Sequence, residues 1–270
     1  MKDDANSAMR SRLRNNLNVS DNGEVYYAKW KLDIASNSAV IARMSELRSG
    51  LGQHLVVTMN VDQLLDLAEG SALADAYDIA SMRLIDGMPI VFLARLLGAK
   101  DVHRNTGADL LIQCSEVASK MGWKIAIAGG KSTTAEKATR NLSMRYPSAE
   151  IVSIDFPMME GSQLPLFEQV AAELRAVAPD LVFLCLGAPK QERWFLEHRE
   201  LLPDGVYIGA GAAVDFAAGD IARSPVWLQR IGFEWAHRLV TEPRRLWRRY
   251  LVRGPRFISV VLASLRKEER

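Results

Sequence analysis

The feature that most constrains the fold is an unbroken run of six apolar residues, Leu181 to Leu186, that ends at Gly187. A strand with one solvated face alternates apolar and polar side chains, whereas a strand covered on both faces does not. The run therefore predicts a central strand of a parallel sheet. Gly187 and Pro189 predict a tight turn after it, and the Lys-Gln-Glu-Arg sequence that follows predicts the start of a short helix.

Short apolar segments alternate with amphipathic stretches along the rest of the chain. This alternation predicts βαβ units and therefore an α/β fold, with a Rossmann-like, mostly parallel sheet and helices on both faces. We predict strands at Leu55–Thr58, Arg83–Ile85, Lys124–Ala128, Glu150–Ile154, Leu181–Leu186 and Val206–Ile208. We predict helices at Val61–Glu69, Pro89–Gly98, Ala108–Met121, Thr133–Tyr146 and Leu164–Ala178, with Thr133 and Glu136 forming a capping box.

The size and composition of the chain predict a globular protein. Its 270 residues, 49% of them hydrophobic, suffice for one α/β domain with or without an appendage. Cys114 and Cys185 lie in apolar segments, which favours reduced core residues of a cytoplasmic protein over a disulfide or metal pair. The chain up to about Ser20 is polar and has no apolar core of a signal peptide, which predicts a loosely ordered leader. No segment approaches the roughly 20 apolar residues of a membrane span.

The charge is distributed unevenly. Residues 223–270 carry a net charge of +8, whereas residues 1–222 carry −6. A basic tail on an acidic body predicts an anionic surface or anionic ligand for the tail. We therefore divide the chain into a variable leader (1–50), an α/β catalytic domain (51–222) and a basic, amphipathic, helical C-terminal appendage (223–270).

Polar or glycine-rich residues follow several of the predicted strands. The carboxyl ends of parallel strands share one edge of a sheet, where open α/β sheets bind their ligands, so this clustering predicts a binding cleft. The segments concerned are Thr58, Asn60 and Asp62; Asp86-Gly87; Gly129-Gly130-Lys131; Gly187 to Glu192; and Gly209-Ala210-Gly211 with Asp215.

Each of these signals also has a purely structural interpretation. Short glycine turns are common, and the loop from Gly187 to Glu192 can be a surface turn followed by solvated charges. Asp86 precedes a helix that begins near Pro89, where an aspartate commonly caps the helix. The sequence Gly209-Ala210-Gly211 lacks the spacing of a dinucleotide-binding fingerprint.

Six segments resemble one known family. They are VTMNVDQL, LIDGMPIV, RNTGADLL, LGAPKQERW, GAGAAVDFAAG and GFEWAHRLVTEPRRLWRR. In order and spacing, from about Leu55 to Leu265, the chain resembles the WecG/TagA/CpsF family of bacterial glycosyltransferases. The first 50 or so residues lie outside this resemblance.

The resemblance implies transfer of a sugar, with inversion, from a UDP donor to a polyprenyl diphosphate-linked sugar at the inner face of the cytoplasmic membrane. Glucose, N-acetylmannosamine and its uronate are donors associated with the family, which serves synthesis of cell-surface polysaccharides and teichoic acid-type polymers. Asp86 matches the proposed base, with Thr58 as a second catalytic position. Substrate-binding positions carried over in the same way are Asn60, Arg104, Gln191, Asp215, Arg238, Arg245 and Arg248.

The residue types suit this chemistry. A carboxylate within hydrogen-bond reach can take the proton of an acceptor hydroxyl, and Asp86 is the best candidate. The leaving UDP needs cations, N–H dipoles or a metal ion to neutralise its charge. The chain contains no Asp-x-Asp sequence, so we expect arginines rather than a metal ion to stabilise the diphosphate, and we expect no cofactor.

The tail combines tryptophans with arginines and ends in an apolar run, Phe257 to Leu265. That run is too short to span a bilayer but long enough to lie in its interface, which favours peripheral attachment to anionic lipid over nucleic-acid binding. The competing interpretation of the chain is a non-catalytic nucleotide-binding regulator that docks through its tail on a membrane or protein. The sequence leaves open whether the chain forms a homo-oligomer.

Overall fold

The computed structural model describes residues 16–156 and 164–266. The part that precedes the predicted domain contains four elements that the sequence did not predict: β1 (Leu17–Val19), β2 (Val25–Tyr27), β3 (Trp30–Leu32) and α1 (Asn37–Arg48). The three strands pair as an antiparallel sheet. Residues 1–15 lie outside the described residues, but loose order does not extend to residues 16–20, because Leu17 is buried in the core.

The centre of the molecule is a six-stranded parallel sheet with the strand order β5–β4–β9–β8–β6–β7. This confirms the predicted fold class. The strands are β4 (Gln53–Met59), β5 (Met82–Ile85), β6 (Lys124–Ala128), β7 (Glu150–Ile154), β8 (Leu181–Leu184) and β9 (Gly205–Gly209). All four residues of β8 are buried, as the unbroken apolar run predicts for an interior strand.

Helices cover both faces of this sheet, as predicted. They are α2 (Val61–Ala68), α3 (Leu73–Ile79), α4 (Met88–Leu96), α5 (Gly107–Met121), α6 (Ser132–Arg145), α7 (Leu164–Val177), α8 (Lys190–His198) and α9 (Ala213–Ala218). The helices α2, α3, α4, α7 and α8 pack on one face. On the other face, α1, α5, α6 and α9 form a second apolar core that contains Cys114 and Cys185. Both cysteines are free and buried, and burial raises the pKa of each thiol to about 12.

The predicted capping box of α6 does not form. The helix begins at Ser132, one residue earlier than predicted, and Lys131 occupies the cap position without a side-chain hydrogen bond. Thr133 therefore lies inside the first turn, where its hydroxyl cannot serve as the N-cap acceptor. Glu136 instead lies 3.5 Å from the hydroxyl of Ser132.

The C-terminal segment is helical, as predicted, and it returns to the body. It comprises α10 (Val226–Arg230), α11 (Glu234–Thr241), α12 (Pro243–Trp247), a π-helical turn (Arg248–Arg253), a 3₁₀ turn (Gly254–Arg256) and α13 (Phe257–Leu265). Within residues 16–156 and 164–266, no helix combines the length and apolarity needed to cross a membrane.

Helix α13 packs one of its faces against the N-terminal strands. Val260 and Ser264 are buried, and the Ser264 hydroxyl accepts a hydrogen bond of 2.9 Å from the backbone N–H of Leu17. Ile258 and Leu262, on the remaining surface of the helix, are 61% and 49% exposed. Part of the apolar run that we expected at a membrane surface is therefore packed against the body of the protein.

Ion pairs to α2 also hold the C-terminal segment. Arg253 lies 2.8 Å from a carboxylate oxygen of Asp62 and also pairs with Asp66, one helical turn further along. Arg249 lies 3.4 Å from Asp62, and Arg256 lies 2.9 Å from Glu69. Part of the positive charge of the tail is therefore matched by one acidic face of the body.

Candidate active site

A cavity of about 570 Å³ opens at the carboxyl edge of the parallel sheet. Its wall contains residues from the ends of β4, β5, β8 and β9 together with residues of the C-terminal segment. The neighbouring strands β4 and β9 lead into α2 and α9, which pack on opposite faces of the sheet. This divergence creates the crevice in which open α/β sheets bind ligands.

Close backbone packing shapes the floor of the cavity. A Cβ atom on Gly107, at the start of α5, would lie 2.6 Å from the Cα atom of Ala210, in the loop after β9. A side chain at this position would collide with backbone rather than with a movable side-chain end. The glycine of the RNTGAD sequence is therefore explained by the contact between two loops of the cavity wall.

Asp86 lies in the cavity wall just after β5, and it does not cap the following helix. Gly87 occupies the cap position of α4 and no side-chain cap hydrogen bond is present. The backbone N–H of Asp86 donates to the carbonyl of Met59 at 2.8 Å, which ties this loop to the end of β4. The structural interpretation of Asp86 as a helix cap is therefore wrong, and its carboxylate faces the cavity with 29% of the side chain exposed.

Burial raises the pKa of the Asp86 carboxyl above its ordinary value, and the charges around it act in both directions. The Arg104 guanidinium, whose Nε lies 3.7 Å from Oδ1 of Asp86, lowers the pKa. Glu234 and Asp109 raise it, and Arg223 lowers it. A carboxyl group whose proton affinity is increased is better suited to accept a proton near neutral pH.

Arg104 is engaged on two sides. Its Nε donates to the backbone carbonyl of Asp86 at 2.7 Å, and its Nη2 donates to the carboxylate of Glu234 at 2.6 Å. Glu234 is the first residue of α11, so this ion pair joins the C-terminal segment to the loop after β5. Only 16% of the Arg104 side chain and 15% of the Glu234 side chain are exposed.

Thr58 and Asn60 line the cavity, but protein contacts fix both side chains. The hydroxyl of Thr58 donates to the carbonyl of Gly209 at 2.7 Å, across the pair β4–β9. The side-chain oxygen of Asn60 caps α2 by accepting from the N–H groups of Asp62 and Gln63 at 3.0 and 3.1 Å. These bonds hold the first polar positions after β4 in place, and they leave the Thr58 oxygen able to accept a further hydrogen bond.

Gln191 is buried and joins two loops of the cavity. Its side-chain oxygen accepts from the backbone N–H of Gly187 and from that of Gly211, both at 3.1 Å. Its amide nitrogen donates at 2.9 Å to the buried carboxylate of Glu192. Glu192 also accepts from Gln63 at 3.1 Å. Gln191 and Glu192 are therefore buried, and Gln191 lines the cavity, whereas residues 188–190, at the turn into α8, are exposed.

Five arginines line the cavity. They are Arg104 and Arg223 from the loops, and Arg238, Arg245 and Arg249 from the C-terminal segment. Arg238 lies over the ring of Phe216 at 5.4 Å, and Arg245 pairs with Glu242 at 2.5 Å. The cavity thus combines three carboxylates, those of Asp62, Asp86 and Glu234, with five guanidinium groups.

Two of the predicted binding residues lie outside this cavity wall in the described part of the chain. Arg248 is exposed and lies over the ring of Trp247 at 5.2 Å. Asp215 lies on α9, where burial raises the pKa of its carboxyl while the nearby Arg245 lowers it. Asp215 is therefore close to the tail arginines, although it does not line the cavity.

No three His, Cys, Asp or Glu side chains converge as metal ligands within the part of the chain that the structure describes. The polar groups of the cavity are carboxylate, hydroxyl, amide and guanidinium groups together with backbone N–H groups. Such a set can accept a proton and bind an anionic group bidentately.

Comparison with known proteins agrees with this chemistry. The family model described as "Glycosyl transferase WecG/TagA/CpsF family" matches residues 25–270. The chain belongs to the WecG/TagA/CpsF family of glycosyltransferases. The match begins within the first 50 residues, which we had placed outside the resemblance, and it includes β2, β3 and α1.

Two curated relatives belong to the same family. The N-acetylglucosaminyldiphosphoundecaprenol N-acetyl-β-D-mannosaminyltransferase of Bacillus subtilis is 31% identical over 199 residues, which are 73% of each chain. The protein of the same name from Bacillus spizizenii is 27% identical over 207 residues, 77% of this chain and 78% of the relative.

Three charged residues of the cavity were not predicted from the sequence: Arg223, Glu234 and Arg249. Arg223 lies 2.9 Å from Asp109, near the start of α5, although the two are far apart in the chain. Glu234 is the glutamate of the EW pair in the C-terminal family motif, and this position in the motif could have identified it as a candidate site residue. Arg249 follows Arg248 directly, and nothing in the sequence distinguishes which of the two lines the cavity.

Proposed function

We propose that this glycosyltransferase moves a sugar from a UDP donor to a sugar linked to polyprenyl diphosphate, with inversion at the anomeric carbon. The observation that carries the proposal is that Asp86, a carboxylate with no capping role, lines the same cavity as five arginines. The carboxylate that we propose as the base and the guanidinium groups that we propose as anion-binding groups therefore line one cavity.

In the proposed step, a hydroxyl oxygen of the acceptor attacks the anomeric carbon of the donor sugar. The new carbon–oxygen bond forms as the bond to the β-phosphate oxygen of UDP breaks, and the bonding electron pair leaves with UDP. The hydroxyl proton passes to the carboxylate of Asp86. A positioned base of this kind contributes roughly 10²- to 10⁴-fold to a rate.

The leaving diphosphate develops negative charge that must be stabilised. We assign this role to Arg238 and Arg245, with Arg249 and Arg223 as further cations of the cavity. A guanidinium group binds phosphate oxygens through two parallel hydrogen bonds, so arginines can serve without a metal ion. Exposed Arg248 we assign to the basic surface around the cavity.

The remaining predicted positions have supporting roles in this proposal. Thr58 and Asn60 shape the wall next to the base, and the hydroxyl oxygen of Thr58 accepts a hydrogen bond from the substrate. Gln191 keeps the N–H groups of two loops in register and so preserves the shape of the cavity. Asp215 orients the tail arginines, since its carboxyl lies in the field of Arg245.

We further propose that the protein acts at the inner face of the cytoplasmic membrane, as a peripheral protein. The C-terminal segment carries exposed apolar side chains, of which Leu251 and Val252 are 56% and 57% exposed, beside its arginines. Such a surface gains both apolar burial and attraction to anionic lipid. Cosedimentation with vesicles that contain anionic lipid should decrease as salt is raised, and binding that does not require anionic lipid would contradict the electrostatic part.

The names of the two relatives suggest the first substrates to test. Both act on N-acetylglucosaminyldiphosphoundecaprenol and transfer N-acetylmannosamine. We therefore propose UDP-N-acetylmannosamine as the first donor, followed by UDP-glucose and the uronate of N-acetylmannosamine.

The experiment is product formation by the purified full chain with each donor and a short-chain polyprenyl diphosphate N-acetylglucosamine. The proposal expects a disaccharide-lipid product from one donor, a new anomeric configuration opposite to that of the donor, and an unchanged rate in EDTA. Retention of configuration would refute the single-displacement step. Loss of activity in EDTA with recovery in magnesium would refute the metal-independent part. Nucleotide binding without product from any donor would favour the non-catalytic regulator.

A further inference from the structure

The ion pair between Glu234 and Arg104 is the most enclosed of the charge pairs in the cavity wall. Its nitrogen and oxygen are 2.6 Å apart, and about one sixth of each side chain is exposed. Breaking a pair of this kind leaves an uncompensated charge in an environment of low dielectric constant, which is strongly unfavourable. The two residues of this pair are 130 positions apart in the chain, so the pair joins two distant segments.

The same guanidinium group holds the loop of the proposed base. Arg104 Nε donates to the carbonyl of Asp86 at 2.7 Å, and the carboxylate of Asp86 lies 3.7 Å from that nitrogen. A planar guanidinium that is fixed at one edge by Glu234 can present only one orientation to Asp86. The contacts therefore form a continuous path from the C-terminal segment to the floor of the cavity.

We propose that Glu234 is a positioning residue for the transfer reaction: carried on α11, it fixes Arg104 against the loop of Asp86 and so holds the base in place from the C-terminal segment. This inference rests on the proposed role of Asp86. It changes the interpretation of Arg104, which the family resemblance assigned to substrate binding, because two of its donor groups are already engaged by the protein.

The charges that face Asp86 determine what the loss of Glu234 should do. Arg104 and Arg223 favour the ionised carboxylate, whereas Glu234 and Asp109 disfavour it. Removal of the positive charge of Arg104 should therefore raise the pKa of Asp86, and loss of Glu234 should raise it too if Arg104 is thereby released from the loop of Asp86. A Glu234 that acted on Asp86 through its charge alone would have the opposite effect, because its removal would lower the pKa of Asp86.

The test compares Glu234→Gln and Arg104→Gln with the wild type and with Glu116→Gln. The control removes an equal charge from an exposed ion pair with Lys120 on α5, outside the cavity wall. The measurement is kcat/KM as a function of pH, with the substrates of the product assay. The acidic limb of this profile reports the pKa of the base in the free enzyme.

We expect Glu234→Gln to lower kcat by about 10- to 100-fold, the range that follows misplacement of a catalytic group, with a smaller change in KM. Its acidic limb should move to higher pH, in the same direction as that of Arg104→Gln, because both variants take the guanidinium group away from Asp86. The control should overlay the wild type. An acidic limb of Glu234→Gln that stays in place, or that moves to lower pH as loss of a negative charge alone would cause, overturns the proposal.

Two further variants keep the outcomes distinct. Glu234→Asp retains the charge but shortens the reach to Arg104, so we expect a lower kcat and an acidic limb at higher pH than in the wild type. A wild-type kcat would overturn the positioning role. If Glu234→Gln does not fold, Glu234→Asp and Arg104→Gln still test the inference. Asp86→Asn distinguishes failure of this inference from failure of the proposed function. Full activity of Asp86→Asn would refute the role of Asp86 as the base. An inactive Asp86→Asn together with an acidic limb that does not move in Glu234→Gln would refute only the positioning role of Glu234.

Discussion

Substitution of Glu192 by glutamine should change the dependence of stability on pH. Glu192 is 1% exposed, and its Oε1 accepts hydrogen bonds from Gln63 and Gln191. Its Oε2 is buried without a hydrogen-bond partner among the described residues. Burial is the main cause that raises the pKa of this carboxyl from 4.5 to about 7, and the hydrogen bond from Gln191 only partly offsets it.

The sign and size of the effect follow from this raised pKa. The folded protein holds a proton on Glu192 up to about pH 7, whereas the unfolded chain releases it near pH 4.5. The stability that this proton contributes is therefore complete below pH 4.5 and is lost as the pH rises through 7. At 1.36 kcal/mol per pKa unit, the wild type should lose about 2–3 kcal/mol from this group between about pH 5 and pH 8.

Glutamine does not titrate, so Glu192→Gln should not show this loss. Its amide group would occupy the position of the unpartnered oxygen and cost about 1–3 kcal/mol at every pH. We therefore expect the variant to be the less stable protein at about pH 5, and its deficit to shrink by about 2–3 kcal/mol by pH 8.

Urea denaturation followed by tryptophan fluorescence at several pH values measures this difference, since Trp194 on the same helix α8 is fully buried and reports unfolding. The control is Glu116→Gln. Lys120 lowers the pKa of Glu116, so this group titrates below the pH range of the experiment. Parallel stability curves for wild type and Glu192→Gln would show that Glu192 is ionised in the folded protein, and would refute the reasoning.

Three further outcomes are expected. Ser264→Ala should lower the free energy of unfolding by about 1–3 kcal/mol, because it leaves the buried N–H of Leu17 without an acceptor. The control, Ser259→Ala on the exposed side of the same helix, should change this free energy by less than about 0.5 kcal/mol. Equal effects of the two substitutions would mean that α13 is not docked. Gln191→Ala removes the acceptor shared by two loop N–H groups, so KM should rise more than kcat falls, and unchanged kinetics would exclude the loop from the site. Arg104→Lys should lower kcat/KM by more than about tenfold, since an ammonium group cannot contact both partners of the guanidinium, and a fully active lysine variant would contradict this.

The central sheet was predictable because its signals are local. The bounds of β6 and β7 agree with the prediction, and β8 differs only in ending at Leu184. Long apolar runs with glycine or proline at their ends report on burial directly. The strands β1–β3 were missed because three residues are too few to show a period, and they are stabilised by distant contacts such as that of Leu17 with Ser264.

The site residues that lie in family motifs or directly after predicted strands could be predicted from the sequence. The sequence drew attention to Asp86, Thr58 and Gln191, but it did not reveal how their side chains are bonded. The pairs of Arg104 with Glu234 and of Arg253 with Asp62 join residues more than 100 positions apart, and a charge pattern does not specify such partners. For the same reason the tail looked separable in sequence, whereas Val260 and Ser264 make it part of the core.

The most direct test of the central claim is the turnover of Asp86→Asn in the assay with UDP-sugar and lipid-linked acceptor. The substitution keeps the size of the side chain and removes its basicity, and Asp86 caps no helix, so melting temperature and UDP affinity should stay close to wild type. If Asp86 is the base, kcat should be lower by roughly 10²- to 10⁴-fold. A kcat within a few-fold of wild type, in a folded protein that binds UDP, would contradict it.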